Sequence, residues 1–307
     1  MPGRAVVNDV GPRDGLQNQP VRLAPEQRLE LIRALLAAGV QHIEVGSFVS
    51  PKAVPAMVGT DRVLAGLEGA SGVFSVLVPN LKGYELARDA GAKIVEMVLY
   101  ATDGMAKANA NMTREEACLV AEDILQRAAD DGIGVVATLS VAWACPFDGP
   151  VEAATVTALA SRFLQAGAHQ VVLADTIGAA DPQQVRSLTA MLVDEHGAER
   201  LACHFHDTRA LGLANVFAAL ESGIRSFDAS VGGLGGCPFA PGASGNVATE
   251  DVVMMLEQMG YETGIDLPRL LQASKLAASL TGNAPGGRAQ AWLERHCRED
   301  DAPRAQQ

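Results

Sequence analysis

Strand-like and helix-like segments alternate along this chain without interruption, and that rhythm limits its possible folds more than any other feature. Short runs at 5–10, 41–46, 73–78, 94–100, 134–141, 170–174, 201–205 and 226–230, most of them largely apolar, read as strands. Helical patterns follow them at 25–38, 51–67, 81–89, 113–130, 151–166, 182–195, 209–221 and 249–259. Boundary residues support the reading. Pro25 suits a first helical turn and Gly39 a C-terminal cap. Pro55 should bend or interrupt the second helix. Thr113 and Glu116 have capping-box spacing, and Asp181 precedes Pro182 as an N-cap. Eight such pairs in 307 residues, with no break in composition, predict an α/β chain folded as a (β/α)8 TIM barrel. An open doubly wound sheet is the structural alternative. Residues 267–280 read as an additional C-terminal helix. The single barrel is therefore expected over 1–282, with 283–307 a C-terminal segment that ends in a partly disordered polar tail.

Composition narrows the partners. A net charge of −12 argues against nucleic acid or an anionic membrane, though a local basic pocket could still take an anionic small molecule. The five cysteines are scattered, with no C-x-x-C spacing, so neither a disulfide framework nor a structural zinc site is expected. Met1-Pro2-Gly3-Arg4 leads straight into a strand, with no signal peptide and no long apolar span, so the expected location is cytoplasmic.

Active sites of such barrels form at the C-terminal strand ends. Gly11 to Asn18 follow the first strand, Glu44 ends the second, and Asp175 and Thr176 follow the sixth. The seventh carries His204 and His206. A glycine-rich run from Gly232 to Cys237, then Asn246, follows the eighth. His204 and His206, two residues apart on a strand, point to one side. With Asp14, and a carbonyl oxygen from Asn246, they make an oxygen and nitrogen set that suits Mg2+ or Mn2+, with zinc or iron as alternatives. The competing reading, two hydrogen-bonded core histidines, accounts less well for a carboxylate at another strand end. Arg13 is either half of a surface ion pair, worth at most about 1 kcal/mol, or a guanidinium aimed at a developing oxyanion. Glu44 either supports Arg13 or a metal ligand, or is a rim carboxylate. The glycine-rich run could cradle a phosphate, or hinge Cys237 over the site as a reactive thiol. Cys118, Cys145 and Cys203 read as structural, as do His42 and His169.

Together these motifs resemble the 3-hydroxy-3-methylglutaryl-CoA lyases. The matching runs are Gly11-Pro12-Arg13-Asp14-Gly15-Leu16-Gln17-Asn18, Ser47-Phe48-Val49-Ser50-Pro51-Lys52, Asp175-Thr176-Ile177-Gly178, His204-Phe205-His206-Asp207-Thr208 and Gly233-Leu234-Gly235-Gly236-Cys237-Pro238, leading into Gly245-Asn246 and Glu250-Asp251. The resemblance implies a metal-dependent carbon–carbon lyase that cleaves a 3-hydroxyacyl-CoA by a retro-Claisen step, here to acetyl-CoA and acetoacetate. Asp14, His204, His206 and Asn246 would bind Mg2+ or Mn2+. Arg13 would stabilise the enolate oxygen, Cys237 would protonate the enolate carbon, and Glu44 would support Arg13 and Asp14. His204 and Asp14 are both candidates for the base. Arg13, Gln17, Asp175 and Thr176 would contact the acyl-CoA substrate. Leucine catabolism and ketone body formation are the implied settings, and a homodimer is one expected assembly. Ala210 stands where the family has glycine, and the loop 100–111 matches only in part, so a related 3-hydroxyacyl-CoA is an alternative substrate. A Claisen-condensing synthase of the isopropylmalate type would carry a further C-terminal region. A biotin-dependent carboxyltransferase would want a lysine late in the fifth strand, where Thr138-Leu139-Ser140 stand. A non-catalytic scaffold would need neither Arg13 nor Cys237.

Overall fold

Eight parallel strands close into a barrel in sequence order, so each strand–helix pair read from the sequence sits beside the next. The computed structural model describes residues 3–236, 245–282 and 286–297. The barrel strands are β1 (Val6–Asp9), β2 (His42–Ser47), β3 (Val73–Leu77), β4 (Ile94–Tyr100), β5 (Gly134–Ser140), β6 (Gln170–Asp175), β7 (Leu201–Phe205) and β8 (Ser226–Ala229). The first and last strands pair in register, Val6 with Ser226 through Asp9 with Ala229, which closes the ring.

Helices α1 (Pro25–Ala37), α2 (Thr60–Ala65), α3 (Leu81–Asp89), α4 (Asp103–Ala110), α5 (Arg114–Asp131), α6 (Ala153–Gln165), α7 (Pro182–His196), α8 (Gly212–Glu221) and α9 (Thr249–Gln258) cover the strands. Their inner faces bury Leu31, Ile32, Leu35, Ile124, Phe163, Leu192 and Val252 against outward-facing Ile43, Val95, Leu139 and Phe227. Fully burying one such side chain stabilises by about 1.5–3 kcal/mol, which is why the apolar stripe fixes each helix's rotation. The expected caps form: Thr113 Oγ1 accepts from Glu116 N at 3.2 Å while Glu116 Oε2 accepts from Thr113 N at 2.7 Å. Asp181 accepts from the N–H groups of Gln183 and Gln184.

Three segments differ from the sequence reading. The helix read over 51–67, with an interruption expected at Pro55, is reduced to a 3-10 turn, Pro55–Met57, and the short α2, and Gly59 between them takes a left-handed φ of 78°. The stretch 100–111, read as a loop, holds α4, started by Thr102 Oγ1 accepting from Met105 N. A small hairpin, Ala144–Cys145 with Gly149–Pro150, sits between β5 and α6.

Helix α10 (Leu267–Thr281) forms as the expected addition to the barrel, and α11 (Gln290–His296) follows it. Two buried carboxylates tie this end down. Glu250 accepts from Gly232 N at 3.0 Å, Ser274 Oγ at 3.1 Å and Gly287 N at 2.9 Å. Asp251 accepts from the N–H groups of Arg288 and Ala289 at 2.7 and 3.0 Å.

Candidate active site

The site is built at the C-terminal mouth of the barrel, and its first element is an unusual turn. After β1 the chain makes one π-helical turn, Gly11–Gly15, in which Gly15 N–H bonds back to Val10 O. Such turns are rare and often mark functional positions. The turn packs tightly on Ser230: a Cβ on Gly11 or Gly15 would come within 3.2 or 2.8 Å of Ser230 Oγ. That close approach carries Arg13 and Asp14 inward, and Arg13 is only 9% exposed.

Arg13 then meets two carboxylates. Its Nη1 donates to Asp14 Oδ1 at 2.8 Å, and its Nε lies 2.6 Å from Glu44 Oε1 in an ion pair. Glu44 is fully buried beside a register shift in β2, between Glu44 and Gly46. Such bulges re-aim side chains next to active sites. Burial opposes the charge on Arg13, yet Glu44, Asp14 and Glu96 hold its pKa above the ordinary value. Burial pushes the Glu44 carboxyl well up, against the pull of Arg13. Asp14 goes the other way, because Arg13 and the two histidines outweigh its burial. The structure therefore decides between the two readings of Arg13: it is a buried, fixed cation, not a surface ion pair.

The histidine pair lies beside it. Ligand atoms of Asp14, His204 and His206 all lie within 4.8 Å of one another. Asn246 joins them through a bridge between its backbone and that of His206, and its Nδ2 donates to Asp14 Oδ2 at 2.8 Å and Leu234 O at 3.0 Å. Two atoms of this group, His206 Nδ1 and Asn246 Oδ1, are buried with no hydrogen-bond partner among the described residues. Buried polar atoms are almost always partnered. A carboxylate, an amide oxygen and two imidazoles with unmet capacity fit a divalent cation, and a set of oxygen and nitrogen donors, with no thiolate among the described residues, suits a hard ion. Burial and the neighbouring His204 bring His206 down to about 4, so its ring is neutral and ready to ligate at neutral pH.

The other expected residues divide. Gln17 lines the cavity and donates to Asp14 Oδ1 at 3.1 Å. Thr176 also lines it, and its Oγ1 accepts from Val141 N at 2.8 Å. Asp175 does not reach it: its carboxylate accepts from the N–H groups of Ala179 and Ala180, so it shapes its own loop, in place of the substrate contact expected of it. Cys237 lies outside the described residues.

Two carboxyls that the sequence reading passed over form the floor. Glu96 on β4 and Asp228 on β8 line the active-site cavity of about 320 Å³ and also a second cavity that reaches the opposite mouth of the barrel. Burial and the Asp228 charge push Glu96 up to about 7, while a 2.6 Å hydrogen bond from Ser75 Oγ pulls it back. A partial signal was present for Glu96, an acid within an otherwise apolar strand; Asp228, in a short strand that also holds a serine, gave none. The far wall, Val54, Val98, Met105 and Thr138, is mostly apolar and suits an acyl chain.

A family model described as HMGL-like matches residues 5–277. The chain belongs to the HMGL-like family. It is 44% identical over 285 residues to an (R)-citramalyl-CoA lyase from Chloroflexus aurantiacus, covering 89% of this chain and 90% of that protein. It is 42% identical over 284 residues to a hydroxymethylglutaryl-CoA lyase from Pseudomonas mevalonii, covering 92% of this chain and 94% of that protein. A solved structure of hydroxymethylglutaryl-CoA lyase from Pseudomonas aeruginosa superposes with a TM-score of 0.92 at 39% identity, covering 96% of this chain and 99% of that one.

Proposed function

We propose that this HMGL-like protein is a carbon–carbon lyase that cleaves 3-hydroxy-3-methylglutaryl-CoA to acetyl-CoA and acetoacetate, with Mg2+ or Mn2+ held by Asp14, His204, His206 and Asn246. The observation that carries the reading is the buried Arg13 cation fixed beside that oxygen and nitrogen cluster. Retro-Claisen cleavage needs a tertiary hydroxyl deprotonated and an enolate stabilised. The bound ion would supply a lowered hydroxyl pKa and a fixed substrate orientation. Arg13 faces the enolate oxygen of the departing acetyl thioester, where a preorganised cation counts most as charge develops. Glu44 keeps Arg13 in place. His204 or Asp14 takes the hydroxyl proton, and Cys237 returns a proton to the enolate carbon. Gln17 and Thr176 contact the acyl-CoA. Leucine breakdown and ketone body formation go with this reading on the sequence resemblance, and a cytoplasmic location and a homodimer are proposed beside it.

A second substrate is favoured by the citramalyl-CoA lyase relative. With the carboxylate directly on the carbinol carbon, the same cleavage would give pyruvate in place of acetoacetate. Incubating the purified protein with Mg2+ and each thioester, and assaying acetyl-CoA and the keto acid, tests both. If neither these nor related 3-hydroxyacyl-CoA esters are cleaved, the lyase reading is lost.

A further inference from the structure

Asp228 has no part in the chemistry above, yet it touches His204. Strand register places Asn8 of β1 opposite Asp228 of β8, and Asp228 opposite His204 of β7, so the three share one level of the barrel interior. Asn8 Nδ2 donates to Asp228 Oδ1 at 2.9 Å, and Asp228 Oδ2 lies 3.1 Å from His204 Nδ1. Asp228 is only 6% exposed and His204 9%, so water competes little for either bond. With Nδ1 engaged by that carboxylate, Nε2 is the nitrogen left for the cluster with Asp14 and His206.

We propose that Asp228, itself held by Asn8, is a positioning residue that fixes the tautomer and ring plane of His204 and so sets the affinity of the site for its cation. The inference rests on the metal-site reading given above. Asp228 is thus what preorganises His204. Carboxylates that orient ligating histidines characteristically change metal affinity by about 10- to 100-fold when removed.

The test is Mn2+ binding by calorimetry on the wild-type protein and on Asp228→Leu, Asp228→Asn and Asn8→Ala, with nitrogen NMR of the histidine rings in Mg2+-loaded wild type. Asp228→Leu should bind Mn2+ about 10- to 100-fold more weakly. Asp228→Asn keeps an acceptor for Nδ1 and should lose only a few-fold, as should Asn8→Ala. The His204 ring, assigned by its loss in His204→Gln, should carry its proton on Nδ1. A wild-type protein that does not bind Mn2+ removes the metal reading itself. Wild-type binding with unchanged affinity in the variants, or a His204 ring protonated on Nε2, overturns this inference alone. The NMR arm needs no Asp228 variant, so it decides even if Asp228→Leu does not fold.

Discussion

Arg13 Nε and Glu44 Oε1 stand 2.6 Å apart where neither residue is more than 9% exposed. A pair this buried is strained on both sides by lost hydration, and only the geometry keeps it intact. Glu44→Ala should strip Arg13 of one of its two ion-pair partners, leaving Asp14, and cost up to about 3–5 kcal/mol of stability. Arg13→Lys keeps the charge but loses the fork that spans Glu44 and Asp14. It should lower kcat by about 10²–10³, the loss typical of a removed oxyanion donor, with a smaller change in KM. Chemical denaturation of the first variant and steady-state kinetics of the second check these values. Full turnover in Arg13→Lys would remove the guanidinium from the mechanism.

Metal removal offers a separate handle. EDTA should abolish turnover, and Mg2+ should restore it. At a hundredfold excess over Kd, the bound ion should add about 2.7 kcal/mol of stability. His206→Ala should lose most of that increment, because one of the three clustered ligand groups is gone. Melting curves with and without Mg2+ read the effect, and an increment equal to wild type would take His206 out of the metal site.

Cys237→Ala should cut turnover sharply while leaving Mn2+ affinity as in wild type. A thiol that only packs would leave kcat where it was, and that result would end its role as the acid.

Asp9 provides a pH test away from the metal ligands. Burial pushes it from 3.8 to about 7, against hydrogen bonds from Thr249 Oγ1 and Gly11 N. A raised folded-state pKa means that the native protein holds a proton the unfolded chain has released. Stability from this group is therefore full below about pH 4 and declines as pH rises toward 7. The slope is at most about 1.4 kcal/mol per pH unit. Asp9→Asn is neutral throughout and should gain on wild type between pH 5 and pH 8. Urea titrations at the two pH values check this, and parallel profiles would contradict the raised pKa.

Val141 is a β-branched residue with φ of +53°, an arrangement that costs about 1–2 kcal/mol and needs support from its surroundings. Thr176 Oγ1 gives that support by accepting its N–H. Thr176→Val should cost about 1–3 kcal/mol by leaving the N–H unpaired, whereas Thr176→Ser should cost little. Equal urea midpoints for the two variants would argue against the bond.

Legibility in the sequence followed the physics of each element. The barrel was readable because buried parallel strands are short apolar runs and amphipathic helices keep a different period. That Asp14, His204, His206 and Asn246 come together was readable because each lies at or beyond a strand end, where side chains meet at the mouth. Helix α4 was hidden because it is one short run, with Gly104 and Asn109 lowering its propensity. Glu96 and Asp228 were hidden for another reason. They lie mid-strand, and only the closed barrel shows that those inward positions form the floor of the site. Asp175 was over-read: a carboxylate at a strand end can serve its own loop as readily as a ligand.

The convergence on Glu250 has a practical consequence for anyone handling this protein. One carboxylate receives the glycine loop after β8, helix α10 and the backbone at Gly287. Tags, fusions and truncations are usually placed at a chain end on the assumption that it is remote from the active site. Here a cut before Gly287 would take one backbone donor from Glu250 and both from Asp251, and so loosen the anchor of the loop that leads to Cys237. An affinity tag spaced well beyond His296 would spare that clasp, and a trimmed crystallisation variant ending at α10 would not.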